Sequence, residues 1–193
     1  MKKLQILFLG NSYTYYHDMP KTLFSELAAA GGYEVAVTQI THGGYRLCQY
    51  ADPSDEEGKH LRETIEGKYY DYAVLQEQSV NPITNEAQFL EGIRDVMALI
   101  PADQFILYAT WGRNDGSPDL EKLGLTREEM TEKLSAAYHK AAQLYGGRVA
   151  EVGKAFLAYP NKDELYISDL SHPSAVGSAI AAGLFSISLI IHK

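Results

Sequence analysis

Residues Leu4-Gln5-Ile6-Leu7-Phe8-Leu9 run straight into Gly10-Asn11-Ser12, and no other stretch constrains the fold as tightly. A short apolar run bounded by turn residues reads as a strand buried on both faces, the kind a parallel sheet contains. Glycine permits a sharp exit that a β-carbon would hinder. That exit holds a serine hydroxyl at the carboxyl end of the strand, where open α/β sheets place their ligands. The plainer role for Ser12 or Thr14 is to cap a helix.

Downstream, helical and extended patterns alternate. Met19-Pro20 opens a helix with Leu23, Phe24 and Leu27 on its apolar face, and Gly31-Gly32 ends it. Residues 33–40 are rich in β-branched and aromatic side chains and read as a second strand, ending in Thr41-His42-Gly43-Gly44-Tyr45. A charged helix over 53–67 turns Leu61 and Ile65 inward. Tyr72-Ala73-Val74-Leu75 forms a third strand and ends in the polar run Gln76-Glu77-Gln78-Ser79. Phe89, Leu90, Ile93, Val96 and Met97 make one stripe of a helix over 86–100, and 104–110 is a fourth strand. Residues 111–125 carry Gly, Asn, Asp and Pro signals and form the longest loop inferred. Thr126 and Glu129 stand at capping-box spacing and start a helix that ends at Gly146-Gly147. A fifth strand over 148–152, a helical turn over 153–159 and a polar turn, Asp169-Leu170-Ser171-His172-Pro173, precede a terminal helix. Strands and helices alternating at this spacing imply an α/β fold: a three-layer α/β/α sandwich on a mostly parallel sheet of about five strands.

At 193 residues the chain suits one domain over 1–193, with a core that needs no metal or disulfide. Its net charge of −8, without a Lys/Arg cluster, sets it against a phosphate backbone, so no nucleic-acid partner is expected. Cys48 is the single cysteine and no Cys/His cluster has zinc spacing, so neither a disulfide nor a metal is expected. Lys2-Lys3 ahead of an apolar run resembles the start of a signal peptide. That run is too short, contains Gln5 and meets Gly-Asn-Ser instead of a cleavage site, so a cytoplasmic protein is expected. The apolar stretch from Ala175 to Ile191 is marginal for a bilayer span. Val176, Ile180, Leu184, Ile187 and Ile191 follow helical spacing, so a helix packed on the sheet is expected, with no membrane partner.

In a parallel sheet the loops after successive strands gather at one edge. That brings together Ser12, the Gly43-Gly44 turn and the run Gln76 to Ser79, and Asp169 and His172 lie in a turn just before the last helix. A serine nucleophile needs a base within hydrogen-bond reach, the base needs an orienting group, and the oxyanion needs donors. These segments, Gly10-Asn11-Ser12, Gly43-Gly44, the polar tail of strand three and Asp169-Leu170-Ser171-His172-Pro173, occur in the order of the four blocks of the SGNH (GDSL-type) hydrolases, and the chain resembles that family over its whole length. The resemblance implies a flavodoxin-like three-layer fold. It implies Ser12 as nucleophile, His172 as base and Asp169 as its orienting carboxylate. The second-block glycine of the oxyanion hole best matches Gly44, with Gly43 as fallback, beside the Ser12 N–H. Two positions depart from the family pattern. Asn11 stands where an aspartate is usual, and the third block reads Gln76-Glu77-Gln78-Ser79 instead of Gly-x-Asn-Asp, so Gln78 replaces the oxyanion-hole asparagine with one more methylene.

The function expected is a serine esterase acting on small acyl esters, with O-acetyl groups on carbohydrates as the substrate class and no cofactor. Trp111, with Asn114 behind it, either floors the substrate pocket or anchors its loop in the core. Glu77 faces either the site or solvent. His17 and His42 are rival bases. Two other readings stand beside the esterase: a flavodoxin-like module that holds a flavin or other phosphate at Asn11-Ser12-Tyr13-Thr14, and a hydrolase-derived carbohydrate-binding protein without turnover.

Overall fold

Along β1 (Lys3–Gly10) the side chains alternate between two cores. Ile6 and Phe8 enter one, Leu7 and Leu9 the other, and all four are at most 1% exposed. A strand enclosed this way sits inside a sheet covered on both faces, which is why its apolar residues form a continuous run. The computed structural model describes residues 3–190 and places β1 next to the edge of a five-stranded sheet. The order is β2 (Glu34–Thr41), β1, β3 (Tyr70–Leu75), β4 (Ala102–Ala109), β5 (Arg148–Glu151), and every pairing is parallel. Topology reverses between β1 and β3, so the crevice beyond their carboxyl ends is the switch point where such sheets take ligands.

One face carries a π-helical turn at Met19–Phe24 that runs into α2 (Ser25–Ala30), together with α9 (Val152–Ala158) and α10 (Ala175–Ile190). The other carries α3 (Leu47–Ala51), α4 (Glu56–Ile65), α6 (Glu86–Leu99) and α8 (Arg127–Tyr145). Short helices α1 (Ser12–Tyr15), α5 (Asn81–Thr84) and α7 (Pro118–Leu123) sit in the loops at the carboxyl edge, so the stretch 111–125 is not loop throughout. Thr126 and Glu129 form the capping box their spacing implied: Glu129 N–H donates to Thr126 Oγ1 and Thr126 N–H donates to Glu129 Oε2.

Two inward-facing assignments need correction. Leu27 is 41% exposed, because the π-helical turn rotates the register that straight helical counting would give. Among the described side chains of α10, those of residues 175–187, the buried residues are Gly177, Ser178, Ala181, Ala182, Phe185 and Ser186, whereas Val176 and Ile187 are 38% and 49% exposed. The small residues let α10 pack closely. A β-carbon on Gly177 would lie 2.6 Å from the Leu165 carbonyl. Ile191 and Lys2 lie outside the described residues. Among the described residues, no helix is long and apolar enough to cross a membrane.

Candidate active site

After Gly10 the chain turns within one residue. A β-carbon there would lie 2.5 Å from Thr14 Oγ1 and 2.7 Å from Gln76 Oε1, so glycine is required by close approach. Asn11 caps α1 through its Oδ1, which accepts from the Tyr13 N–H at 3.2 Å. Its Nδ2 donates to the Tyr45 carbonyl at 3.0 Å, tying the turn to the glycine loop after β2. Gln76, fully buried, accepts from the Asn11 N–H and the Thr14 hydroxyl, each at 2.9 Å. Its amide is therefore committed beneath the turn. Ser12 emerges as the first residue of α1, 9% exposed, with Oγ 2.8 Å from His172 Nε2.

His172 is held from its other nitrogen. Its Nδ1 lies 2.6 Å from Asp169 Oδ2, while Asp169 Oδ1 accepts from the Ser171 and His172 N–H groups, each at 2.9 Å. Burial works to raise the Asp169 carboxyl, but the hydrogen bonds from the His172 ring and from these two N–H groups outweigh it, so the group lies below the ordinary carboxylate value. Leu170, inside this turn, adopts left-handed backbone (φ 61°), unfavourable for a side chain with a β-carbon. Hydrogen bonds from Leu170 N–H to the Ile167 carbonyl (3.0 Å) and from Asn114 N–H to the Leu170 carbonyl (2.8 Å) hold it there.

The loop after β2 presents Gly43 and Gly44, and Gly44 has a positive φ of 73°. Among the described residues, the N–H groups of Ser12 and Gly44 have no hydrogen-bond partner. After β3, the Gln78 side chain folds back so that Oε1 accepts from the Val80 and Asn81 N–H groups, each at 3.0 Å. Its Nε2 makes only a long 3.4 Å contact, to Ser79 Oγ, and the residue lines the cavity. Glu77 faces neither the cavity nor solvent: it is fully buried. Burial pushes its carboxyl up to about 7, against the pull of the Gln78 and Leu47 N–H groups that favour the charged form.

Ser12, His172, Gly43, Gly44 and Gln78 line one cavity of about 380 Å³. Tyr13, Tyr15, Tyr16, Ser79 and Arg113 line it too; Tyr13 and Ser79 belong to segments the sequence already brings to this edge, whereas Tyr15, Tyr16 and Arg113 carry no role read from sequence. Arg113 follows β4 and is buried. Its Nε donates to Asp119 Oδ2 (2.9 Å), its Nη2 to Ser79 Oγ (2.8 Å), and its guanidinium lies over the Tyr13 ring. Its place just past the end of a central strand was the available signal. A larger cavity, about 610 Å³, lies between the start of β4 and β5 and the end of α6, away from all of these groups.

Trp111 and Asn114 do not line the cavity, so of the two roles open to them, substrate binding is set aside in favour of anchoring. The Trp111 ring is stacked between Tyr13 (4.5 Å) and Phe156 (4.2 Å), its Nε1–H donates to the Ser171 carbonyl (3.0 Å), and nothing of it is exposed. Both faces and its one polar atom are occupied, so it anchors the turn that carries His172. Asn114 Oδ1 accepts from Arg127 Nη1 at 2.7 Å, which turns its amide to the same supporting task. Of the rival bases, His17 pairs with Ser178 Oγ and His42 with Glu57, and neither lines the cavity. Among the described residues, no group of three or more His, Cys, Asp or Glu side chains is placed to hold a metal ion.

A hydroxyl hydrogen-bonded to an imidazole, an imidazole hydrogen-bonded to a carboxylate, and unpartnered N–H groups beside the hydroxyl form an arrangement able to carry acyl transfer. No protein-family model and no curated protein matches the sequence. Solved structures do. A protein from Slackia heliotrinireducens assigned to the SGNH hydrolases is 31% identical, covers 97% of this chain and 100% of its own, and superposes with a TM-score of 0.84. A lipase/acylhydrolase from Enterococcus faecalis is similar in fold at 19% identity, covering 96% and 95% of the two chains, with a TM-score of 0.76. An acetyl-xylooligosaccharide esterase from Geobacillus shares the fold at 14% identity, covering 94% and 92%, with a TM-score of 0.64. The 31% identity to the Slackia protein extends over 97% of this chain and all of the other, and on that ground this chain belongs to the SGNH (GDSL-type) hydrolases and is an ester-cleaving serine hydrolase.

Proposed function

We propose that the enzyme hydrolyses small acyl esters, O-acetyl groups on carbohydrates being the substrate class, with Ser12 as nucleophile, His172 as base and Asp169 as the orienting carboxylate. The observation that carries this reading is the relay of Ser12 Oγ to His172 Nε2 at 2.8 Å and His172 Nδ1 to Asp169 Oδ2 at 2.6 Å. The Ser12 hydroxyl is committed to an imidazole, which favours a nucleophile over a phosphate-binding loop. His172 takes the Ser12 proton as Oγ attacks the ester carbonyl. The Ser12 and Gly44 N–H groups and Gln78 Nε2 receive the oxyanion. The alcohol departs with the proton held on His172. Water, deprotonated by His172, then cleaves the acyl-Ser12 ester and releases the acid, with no cofactor needed.

Substrate class follows from what surrounds Ser12. Gln78, Ser79 and Arg113 close one side of the cavity with polar groups, which disfavours a long alkyl chain. Tyr15 and Tyr16, half-buried at the rim, offer the apolar faces and hydroxyls that suit a sugar ring. The Geobacillus neighbour's acetylated xylooligosaccharides support the same class. A fluorophosphonate probe should label Ser12 alone, and aryl acetates and acetylated sugars should turn over faster than esters of eight or more carbons. A label on another residue, or a preference for long chains, would overturn the reading.

A further inference from the structure

Between the glycine loop and Gln78 lies a buried carboxylate that the mechanism above does not use. Glu77 is the second residue after β3 and is fully enclosed. Its Oε1 accepts from the Gln78 N–H at 2.6 Å, and its Oε2 accepts from the Leu47 N–H at 3.2 Å. Leu47 opens α3 three residues after Gly44. Its own main chain is fixed in turn: Glu77 N–H donates to the Tyr138 hydroxyl at 3.0 Å, and the Glu77 carbonyl accepts from Gln76 Nε2. The groups facing it are Arg46 and Cys48 on the α3 segment, the Asn81 side chain on α5 and Tyr138 on α8.

We propose that Glu77 is a positioning residue of this hydrolase, whose one carboxylate sets the spacing between the Gly44 N–H and the Gln78 side chain by holding the backbone behind both. The proposal rests on the reading of Ser12 and the oxyanion donors given above. The chemistry requires a carboxylate at this point. Two N–H groups converge on the side chain, and only a carboxylate offers each an acceptor oxygen. An amide would satisfy one and turn its own NH₂ against the other. A buried carboxylate is otherwise unfavourable, and its raised pKa records that. Asn11 makes the complementary tie, from the Ser12 turn to the Tyr45 carbonyl. Together the two side chains link all three donors of the hole.

The test compares wild type with Glu77→Gln and Glu77→Asp on an aryl acetate at pH 8, reading kcat, KM and Tm. Both variants should lose roughly 10- to 100-fold in kcat with KM within about twofold, as expected when transition-state contacts alone are misplaced. The Tm of Glu77→Gln should fall, because its NH₂ is set against one of the two N–H donors, so kcat is read at a temperature where both variants are folded. Wild-type kcat in either folded variant would overturn the proposal. So would a KM that rises as steeply as kcat falls in both, which marks a general loosening of the site. Mass-spectrometric mapping of the fluorophosphonate label in wild type separates the two readings: a label away from Ser12 sinks the nucleophile, and a label on Ser12 with an indifferent Glu77 sinks only the positioning role.

Discussion

The ring of Tyr16 lies face to face with the imidazole of His172, centroids 4.6 Å apart and planes inclined by 14°. Tyr13 meets the same imidazole edge-on at 5.4 Å and stacks in turn on Trp111. His172 sits on a surface turn, so these rings, with Asp169, are what keep its Nε2 aimed at Ser12. Stacking of this kind contributes about 0.5–1.5 kcal/mol. Tyr16→Ala should therefore lower kcat roughly 2- to 12-fold on an aryl acetate, while Tyr16→Phe, which keeps the ring, stays near wild type. Equal losses in the two variants would assign the effect to the hydroxyl instead.

Ser12→Ala should abolish turnover, by on the order of 10⁴-fold or more, since members of such a relay act as a unit. Circular dichroism should be unchanged, because the α1 cap is made by Asn11. Near wild-type hydrolysis by this variant would place the nucleophile elsewhere.

Asp169→Asn should be almost as damaging, about 10⁴-fold in kcat, for a reason visible in the turn. Oδ1 of Asp169 accepts from two N–H groups, so an asparagine would keep its oxygen there. Its NH₂ would then occupy the Oδ2 position and donate to His172 Nδ1. That fixes the tautomer with the proton on Nε2, which can no longer accept from Ser12. Activity within tenfold of wild type would refute this orienting role.

Gln78→Glu is the sharpest probe of the third block. Glutamate retains the oxygen that accepts from Val80 and Asn81 but removes the Nε2 donor. The loss of one oxyanion donor costs about 10²–10³ in kcat, or about 2.7–4 kcal/mol. The variant should lose at least that much, because it also places a carboxylate beside the developing charge. Gln78→Ala should fall in the same range with little change in KM. Unchanged kcat in the alanine variant would leave the hole to backbone N–H groups alone.

Much of this architecture was legible in the sequence because long-range burial leaves local marks. Continuous apolar runs located β1 and β3, and the capping box located the start of α8. What escaped had no local mark. Helices α3 and α5 span five and four residues, too few for a periodic signal. On α10 nearly every residue is apolar, so the helix was legible but its buried face was not: Ile180 and Leu184 do pack on the core, Val176 and Ile187 are exposed, and small residues with Phe185 fill the contact. Ser12, Asp169 and His172 were readable as residue types in order, but their meeting across 160 residues of sequence belongs to topology. Trp111 was read as either pocket or core, and only the rings on both of its faces decide between them. In the polar run Gln76 to Ser79 the sequence leaves Glu77 facing either the site or solvent. Nothing local reveals that Glu77 is enclosed, or that the N–H of Leu47, 30 residues away, meets its carboxylate.

That enclosure makes a prediction about stability, opposite in sign to the one for Asp169. The Glu77 carboxyl rises in the folded protein from an ordinary 4.5 to about 7. Between those values the folded state holds a proton that the unfolded state has released, so stability declines as pH rises across that window. The contribution is fully present below about pH 4.5 and lost above about pH 7. A shift of this size corresponds to at most about 3 kcal/mol. Asp169, held low, contributes in the other direction: its stabilisation is present above the ordinary carboxylate value and disappears as pH falls through its lowered one. The measurement is urea unfolding of wild type and Glu77→Gln at half-unit steps from pH 4.5 to 8. The difference between the two proteins should move in favour of the glutamine variant as pH rises, with the steepest change between pH 5 and 7 and a plateau beyond. A difference that stays constant across the series would mean that Glu77 titrates as an ordinary carboxylate, and that the N–H groups of Leu47 and Gln78 offset its burial in full.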